Sequence, residues 1–183
     1  MRKNALIILA EGFEEIEAVT CIDLLRRAEV SLTVAGLRQT HVNGSHGITL
    51  IADKALAAVG ADFDALILPG GMPGSANLAA SEKVTALIKQ MHAAGKLIAA
   101  ICAAPALVLA PCGVLNHKAA TCFPGMEDNF GQTTRRQEDP VVIDGNIITS
   151  RGPGTAFLFA LAIAEKLSGR QTADQLRRAT LAG

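Results

Sequence analysis

Tryptophan and tyrosine are both absent from the 183 residues, and six phenylalanines make up the whole aromatic content. Few rings are therefore available to stack on bases. Charge is also balanced: 17 Lys+Arg against 17 Asp+Glu give a formal net charge of zero. Without a basic field there is little to draw nucleic acid or an anionic membrane, and the expected partner is a small molecule or a protein. Metal-binding spacings are missing too. Cys21, Cys102, Cys112 and Cys122 form no CxxC, and His41, His46, His92 and His117 form no HxxxH or HExxH, so neither a metal nor a cofactor is expected. Long apolar runs are lacking as well. The opening "MRKNALIILAEG" stops at Glu11 with no small-residue cleavage site after it, and "LIAAICAAPALVLA" (97–110) is broken by Pro105 and falls short of the about 20 residues a span needs. We expect a soluble, cytoplasmic protein with four reduced thiols and no membrane segment.

Half of the residues are hydrophobic, enough for one well-buried core, and no repeat or linker divides the chain; a single domain over 1–183 is expected. "NALIILA", "VSLTVAG", "DALILPGG" and "LIAAIC" are short, continuously apolar and turn-bounded, which reads as strands covered on both faces. "GITLIADKAL" (47–56) reads as one further extended segment, and "VVIDGNIITS" (141–150) as a hairpin turning at Asp144-Gly145. Helices are expected over Glu15 to Ala28, Ser81 to Ala94, Ala104 to Ala110, Gly154 to Ser168 and Thr172 to Ala179, with Ser81 and Thr172 as N-caps. The fold class is α/β, a mostly parallel sheet with helices on both faces.

Cys102 falls where the strand "LIAAIC" gives way to the helical "AAPALVLA", with Ala100 and Ala104 two residues to either side. Small neighbours suit a strained nucleophile elbow, as glycines do around the serine of G-x-S-x-G. A thiol there would gain from the helix dipole, which favours thiolate. Spacing alone leaves a reactive thiol and an inert, buried one both open. "LILPGGMPGSANL" sets Gly70 and Gly71 after another strand; it lacks the GK[ST] ending of a phosphate loop, and it reads either as a plain turn or as amides aimed at an oxyanion. Glu11, Glu14 and Glu15 need no explanation beyond complementing the dipole of the first helix. Glu17 differs. At about 100° per residue it shares an arc with Ala18, Cys21, Leu24 and Leu25, so it faces the core and is a functional candidate. Ile16 and Val19 fall on the outward side and hint at a subunit contact.

"AEGFEEIEAV", "ILPGG", "AAICAAPALV" and "TSRGPGTAFLFALAI" together resemble the ThiJ/PfpI superfamily, in its branch of Parkinson-disease-associated protein deglycases and their bacterial relatives. The likeness runs from about Lys3 to Leu167. It implies a flavodoxin-like three-layer sandwich, a homodimer, and activity without a cofactor on methylglyoxal, glyoxal or their early glycation adducts. It also implies Cys102 as the reactive cysteine, Glu17 as the acid that shares its proton, and Gly70, Gly71 and the Ala103 amide on the oxyanion side. A redox-sensing, chaperone-like role through oxidation of Cys102 is the other function the same residues allow. Phe123 stands before Pro124 where some members carry a histidine, so no Cys-His dyad is expected through that position. His46 takes the approximate place of an arginine found in some relatives. Cys21, Cys112 and Cys122 are expected to be packing or surface thiols.

Overall fold

The computed structural model describes residues 2–182. Eleven strands form: β1 (Asn4–Leu9), β2 (Ser31–Gly36), β3 (His41–Asn43), β4 (Thr49–Ile51), β5 (Lys54–Ala55), β6 (Ala65–Leu68), β7 (Leu97–Ile101), β8 (Ala119–Ala120), β9 (Arg135–Arg136), β10 (Val141–Asp144) and β11 (Ile147–Ser150). Seven of them make one sheet in the order β10-β11-β7-β6-β1-β2-β5, parallel throughout except for the β10/β11 hairpin. The helices α1 (Glu15–Arg27), α2 (Gly74–Ala79), α3 (Glu82–Ala93), α4 (Ala156–Ser168) and α5 (Arg170–Ala179) complete the flavodoxin-like α/β sandwich.

The apolar strands read as they do because both faces are covered. Successive side chains alternate between faces. Ile7, Leu9, Ile67 and Ile101 join Leu24 and Leu25 of α1 and Phe159 of α4 in one core. Leu6, Ile8, Leu66, Leu68 and Ile98 join Val84 and Ile88 of α3 in the other. Each such leucine or isoleucine contributes about 1.5–3 kcal/mol by leaving water. Among the described residues no helix is long and apolar enough to cross a membrane.

Local readings fare unevenly. Ser81 caps α3, its hydroxyl accepting from the Val84 N–H at 3.4 Å. Thr172 is no cap: α5 already starts at Arg170 after Gly169 (φ +88°), and the Thr172 hydroxyl donates to the Ser168 carbonyl at 3.0 Å. A left-handed glycine lets the second helix begin directly after the first. The stretch 104–110 winds as a π-helix over Pro105–Leu109 and tightens to a 3₁₀ turn at Ala110–Cys112. Pro111 has no N–H to offer the Leu107 carbonyl, so a regular α-turn cannot continue there. "GITLIADKAL" is not one segment. Its first part, β4, pairs back on β3, and its second, β5, edges the main sheet. The helix expected from Gly154 begins instead with a 3₁₀ turn over Pro153–Thr155.

Register sets the next level. β6 and β7 run parallel with Leu68 opposite Ala100, so two residues further on Gly70 arrives beside Cys102. On the other flank Ile101 pairs with Ser150 of β11. Ligands of open α/β sheets bind at such carboxyl ends of strands.

Candidate active site

Cys102 leaves β7 with φ +64°, a left-handed backbone that β-carbon-bearing residues rarely adopt and that costs about 1–3 kcal/mol. Two backbone hydrogen bonds hold it. Its N–H donates to the Ser150 carbonyl at 3.0 Å, and its carbonyl accepts from the Phe123 N–H at 2.8 Å. Ala100 and Ala104 are wholly buried, so larger neighbours would have no room at this turn. The small-x-Cys-x-small pattern is a packing requirement.

Gly70 is equally constrained. A β-carbon there would lie 2.5 Å from Cys102 Cβ and 2.9 Å from Glu17 Oε2. The Gly70 carbonyl accepts from the Glu14 N–H at 3.0 Å, and its own N–H donates to Glu17 Oε2 at 2.7 Å. This corrects one expectation: the Gly70 amide is committed to the glutamate and is not free for an oxyanion. Gly71 (φ +89°) and Ala103 are placed differently, for the backbone amides of both act on the Cys102 thiol and lower its pKa.

Glu17 is wholly buried on α1. Its carboxylate accepts from the Gly70 N–H through Oε2, Oε1 has no hydrogen-bond partner, and the Cys102 thiol is near enough to lower its pKa. Burial, with a smaller push from the charge on Glu14, raises its pKa to about 7. Burial and then the Glu17 charge push the Cys102 thiol up to about 12, and the amides of Gly71 and Ala103 offset only part of this. A resting thiolate favoured by the helix dipole is therefore opposed by its surroundings. The dipole acts locally, whereas desolvation and an adjacent carboxylate both oppose a second negative charge. The arrangement sets the Cys102 thiol near a buried carboxyl whose pKa burial raises.

Of the other thiols, burial raises all three: Cys21 is on the buried face of α1, Cys112 is half-buried, and Cys122 is pushed up to about 12. None of them has the paired amides and carboxyl of Cys102. No histidine is among the partners of Cys102 Sγ.

Two features escaped the sequence reading. Glu15 is no simple dipole complement; it is buried, and its carboxylate takes the His46 N–H at 2.7 Å, the His46 ring at 2.9 Å, Ser45 Oγ at 3.2 Å and the Ile48 N–H at 3.3 Å. Against the upward pull of burial these bonds hold it down at about 2, and Glu15, followed by Glu14, raises the pKa of His46. The side-chain ligand atoms of Glu14, Glu15 and His46 lie within 4.8 Å of one another, the spacing a metal would need, but the Glu15 oxygens are already spent on the 44–48 turn. The second is α2, which follows the 70–74 loop; a β-carbon on Gly74 would lie 2.7 Å from the Gly12 carbonyl oxygen, so the two loops touch. A cleft of about 340 Å³ between Leu9, Glu11, Arg38 and Val42 sits at neighbouring strand ends, and it holds no nucleophile.

Known proteins share this arrangement of sheet and helices. A family model described as the DJ-1/PfpI family matches residues 3–166. Protein dj-1beta of Drosophila melanogaster is 44% identical over 184 residues, covering 99% of this chain and 98% of its own. A crystal structure of Drosophila melanogaster DJ-1beta superposes with a TM-score of 0.95 at 43% identity over 100% of both chains. A glutathione-independent glyoxalase of Caenorhabditis elegans is 38% identical over 178 residues, 96% of this chain and 94% of its own. By the family match over nearly its whole length and by this identity to full-length relatives, the chain belongs to the DJ-1/PfpI family.

Proposed function

We propose that this protein is a glutathione-independent glyoxalase that converts methylglyoxal or glyoxal to the corresponding 2-hydroxy acid, and that acts in the same way on their early glycation adducts. One observation carries the reading: a thiol at a strained elbow and a wholly buried carboxyl, its pKa raised by burial, both close on Gly70. Such a group can take a proton and return it at neutral pH. The relative from Caenorhabditis elegans, a glutathione-independent glyoxalase by name, supports the substrate class.

In the proposed reaction Cys102 Sγ adds to the aldehyde carbon as its proton passes to Glu17, and the carbonyl oxygen takes up that proton to give a hemithioacetal. Glu17 then removes the proton from the former aldehyde carbon and delivers one to the neighbouring carbonyl carbon, leaving a thioester of the 2-hydroxy acid. Water hydrolyses the thioester and frees the thiol. The amides of Gly71 and Ala103, which act on the Cys102 thiol, would steady the developing oxyanion. No metal or cofactor enters the scheme. The protein works as a homodimer in which α1 meets its copy through Ile16 and Val19, which are 57% and 45% exposed.

The unpartnered Glu17 Oε1 supports a second reading, oxidation sensing. Two equivalents of peroxide would convert the Cys102 thiol through sulfenic to sulfinic acid with release of two waters, and a neutral Glu17 would donate to a sulfinate oxygen. The deciding experiment is lactate formation from methylglyoxal by metal-free protein without glutathione. Activity should be lost in Cys102→Ser and in Glu17→Gln; wild-type rates in Cys102→Ser would remove the enzyme.

A further inference from the structure

Phe123 is the one large aromatic among the described residues that lies open to solvent, 43% exposed, while Phe13 and Phe159 are in the core. Its place is fixed from two sides. The Phe123 N–H donates to the Cys102 carbonyl at 2.8 Å, so the two residues are backbone neighbours. Pro124 follows, which confines the Phe123 backbone to the extended region. Its ring lies over Gly152: a β-carbon built there would stand 3.3 Å from Cδ2 and 3.7 Å from Cε2. Gly152 lies two residues beyond Ser150, whose carbonyl accepts from the Cys102 N–H at 3.0 Å. The ring thus bridges the elbow, through its own backbone bond to Cys102, and the Gly152-Pro153 turn that follows the end of β11. With 43% of the residue open, folding gains only part of what a core phenylalanine supplies. An exposed apolar face on the residue bonded to the Cys102 backbone has its use when a ligand covers it.

We infer that Phe123 is a specificity residue, whose ring forms an apolar wall beside the Cys102 thiol and favours α-oxoaldehydes with an aromatic or bulky apolar substituent over methylglyoxal. The inference rests on the glyoxalase reading for its substrates. Its physical content is narrower: apolar electrophiles reach Cys102 with an advantage that the Phe123 ring supplies.

The test compares wild type, Phe123→Ala and Phe123→Leu on phenylglyoxal, followed as mandelate, and on methylglyoxal, followed as lactate. The ratio of kcat/KM for phenylglyoxal to that for methylglyoxal should fall about tenfold in Phe123→Ala, the scale on which apolar pockets discriminate, and by less in Phe123→Leu, which keeps an apolar side chain. An unchanged ratio in Phe123→Ala would overturn the inference. A second measurement separates it from the proposed activity. Alkylation of Cys102 by N-benzyl iodoacetamide and by iodoacetamide needs no turnover. Should neither aldehyde be converted, the glyoxalase reading fails, and the alkylation ratio still decides: a benzyl preference that drops in Phe123→Ala supports the apolar wall, and equal ratios in the two proteins refute it.

Discussion

Replacing Glu17 by glutamine should make the protein more stable at neutral pH, because a buried carboxylate is a burden on the fold that grows with pH. Burial first of all raises the Glu17 pKa from its ordinary 4.5 to about 7. The sign follows from proton linkage. The folded state holds the Glu17 proton more tightly than the unfolded chain, so the stability it contributes is fully present below about pH 4.5 and is lost as pH rises through about 7. At about 1.4 kcal/mol per pH unit, the interval between these values amounts to about 3 kcal/mol. A glutamine in its place has no such titration, and its amide oxygen can still accept from the Gly70 N–H. The unfolding free energy of Glu17→Gln minus that of wild type should therefore rise by about 3 kcal/mol between pH 4.5 and 8. Urea unfolding of both proteins across that range reads the difference, and other titrating groups cancel in the subtraction. A difference that stays flat would refute the raised pKa and, with it, the poised carboxylate on which the site depends.

Gly70→Ala should destabilise by about 1–3 kcal/mol, since the new methyl meets Cys102 Cβ at 2.5 Å with no room to yield, and thermal unfolding would reveal it; an unchanged midpoint would mean the elbow is looser than described. Ile16→Glu should weaken the proposed dimer more than Ser81→Glu at the start of α3, as light scattering against the 19.0 kDa monomer would show, and a wild-type monomer at micromolar concentration would contradict the interface. Graded peroxide followed by tandem mass spectrometry should add two oxygens to Cys102 before Cys21, Cys112 or Cys122 changes, because Cys102 alone combines partial exposure, two amide donors and a carboxyl; earlier oxidation of Cys112 or Cys122 would sink the oxidation-sensing reading.

The sheet was legible because strands covered on both faces must be apolar throughout, as "ALIIL" and "LIAAI" are. Glu17 was legible because a single carboxyl on the buried arc of a helix is conspicuous against Ala18, Cys21 and Leu24. Glu15 was not: its burial is made by the 44–48 turn, 31 residues away, and helical periodicity carries no trace of that contact. The pairing of β3 with β4 escaped for a related reason, since strands of three residues are too short to show a period. At Cys102 the elbow could be read from small neighbours, but the charge state of the thiol could not. Backbone amides and the helix start are local to the motif, whereas the desolvation and the Glu17 carboxylate that overrule them come from the packing of α1 against two strand ends.

The proposed mechanism requires Cys102 to form a covalent bond to the substrate, which Glu17 then converts. Its most direct test is peptide mapping of protein quenched in acid during turnover of methylglyoxal, with lactate measured in the same samples. An adduct on the Cys102 peptide that accumulates further in Glu17→Gln, with no adduct and no lactate from Cys102→Ser, is the predicted result. Lactate produced at the wild-type rate by Cys102→Ser, or turnover with the Cys102 peptide unmodified throughout, would contradict it.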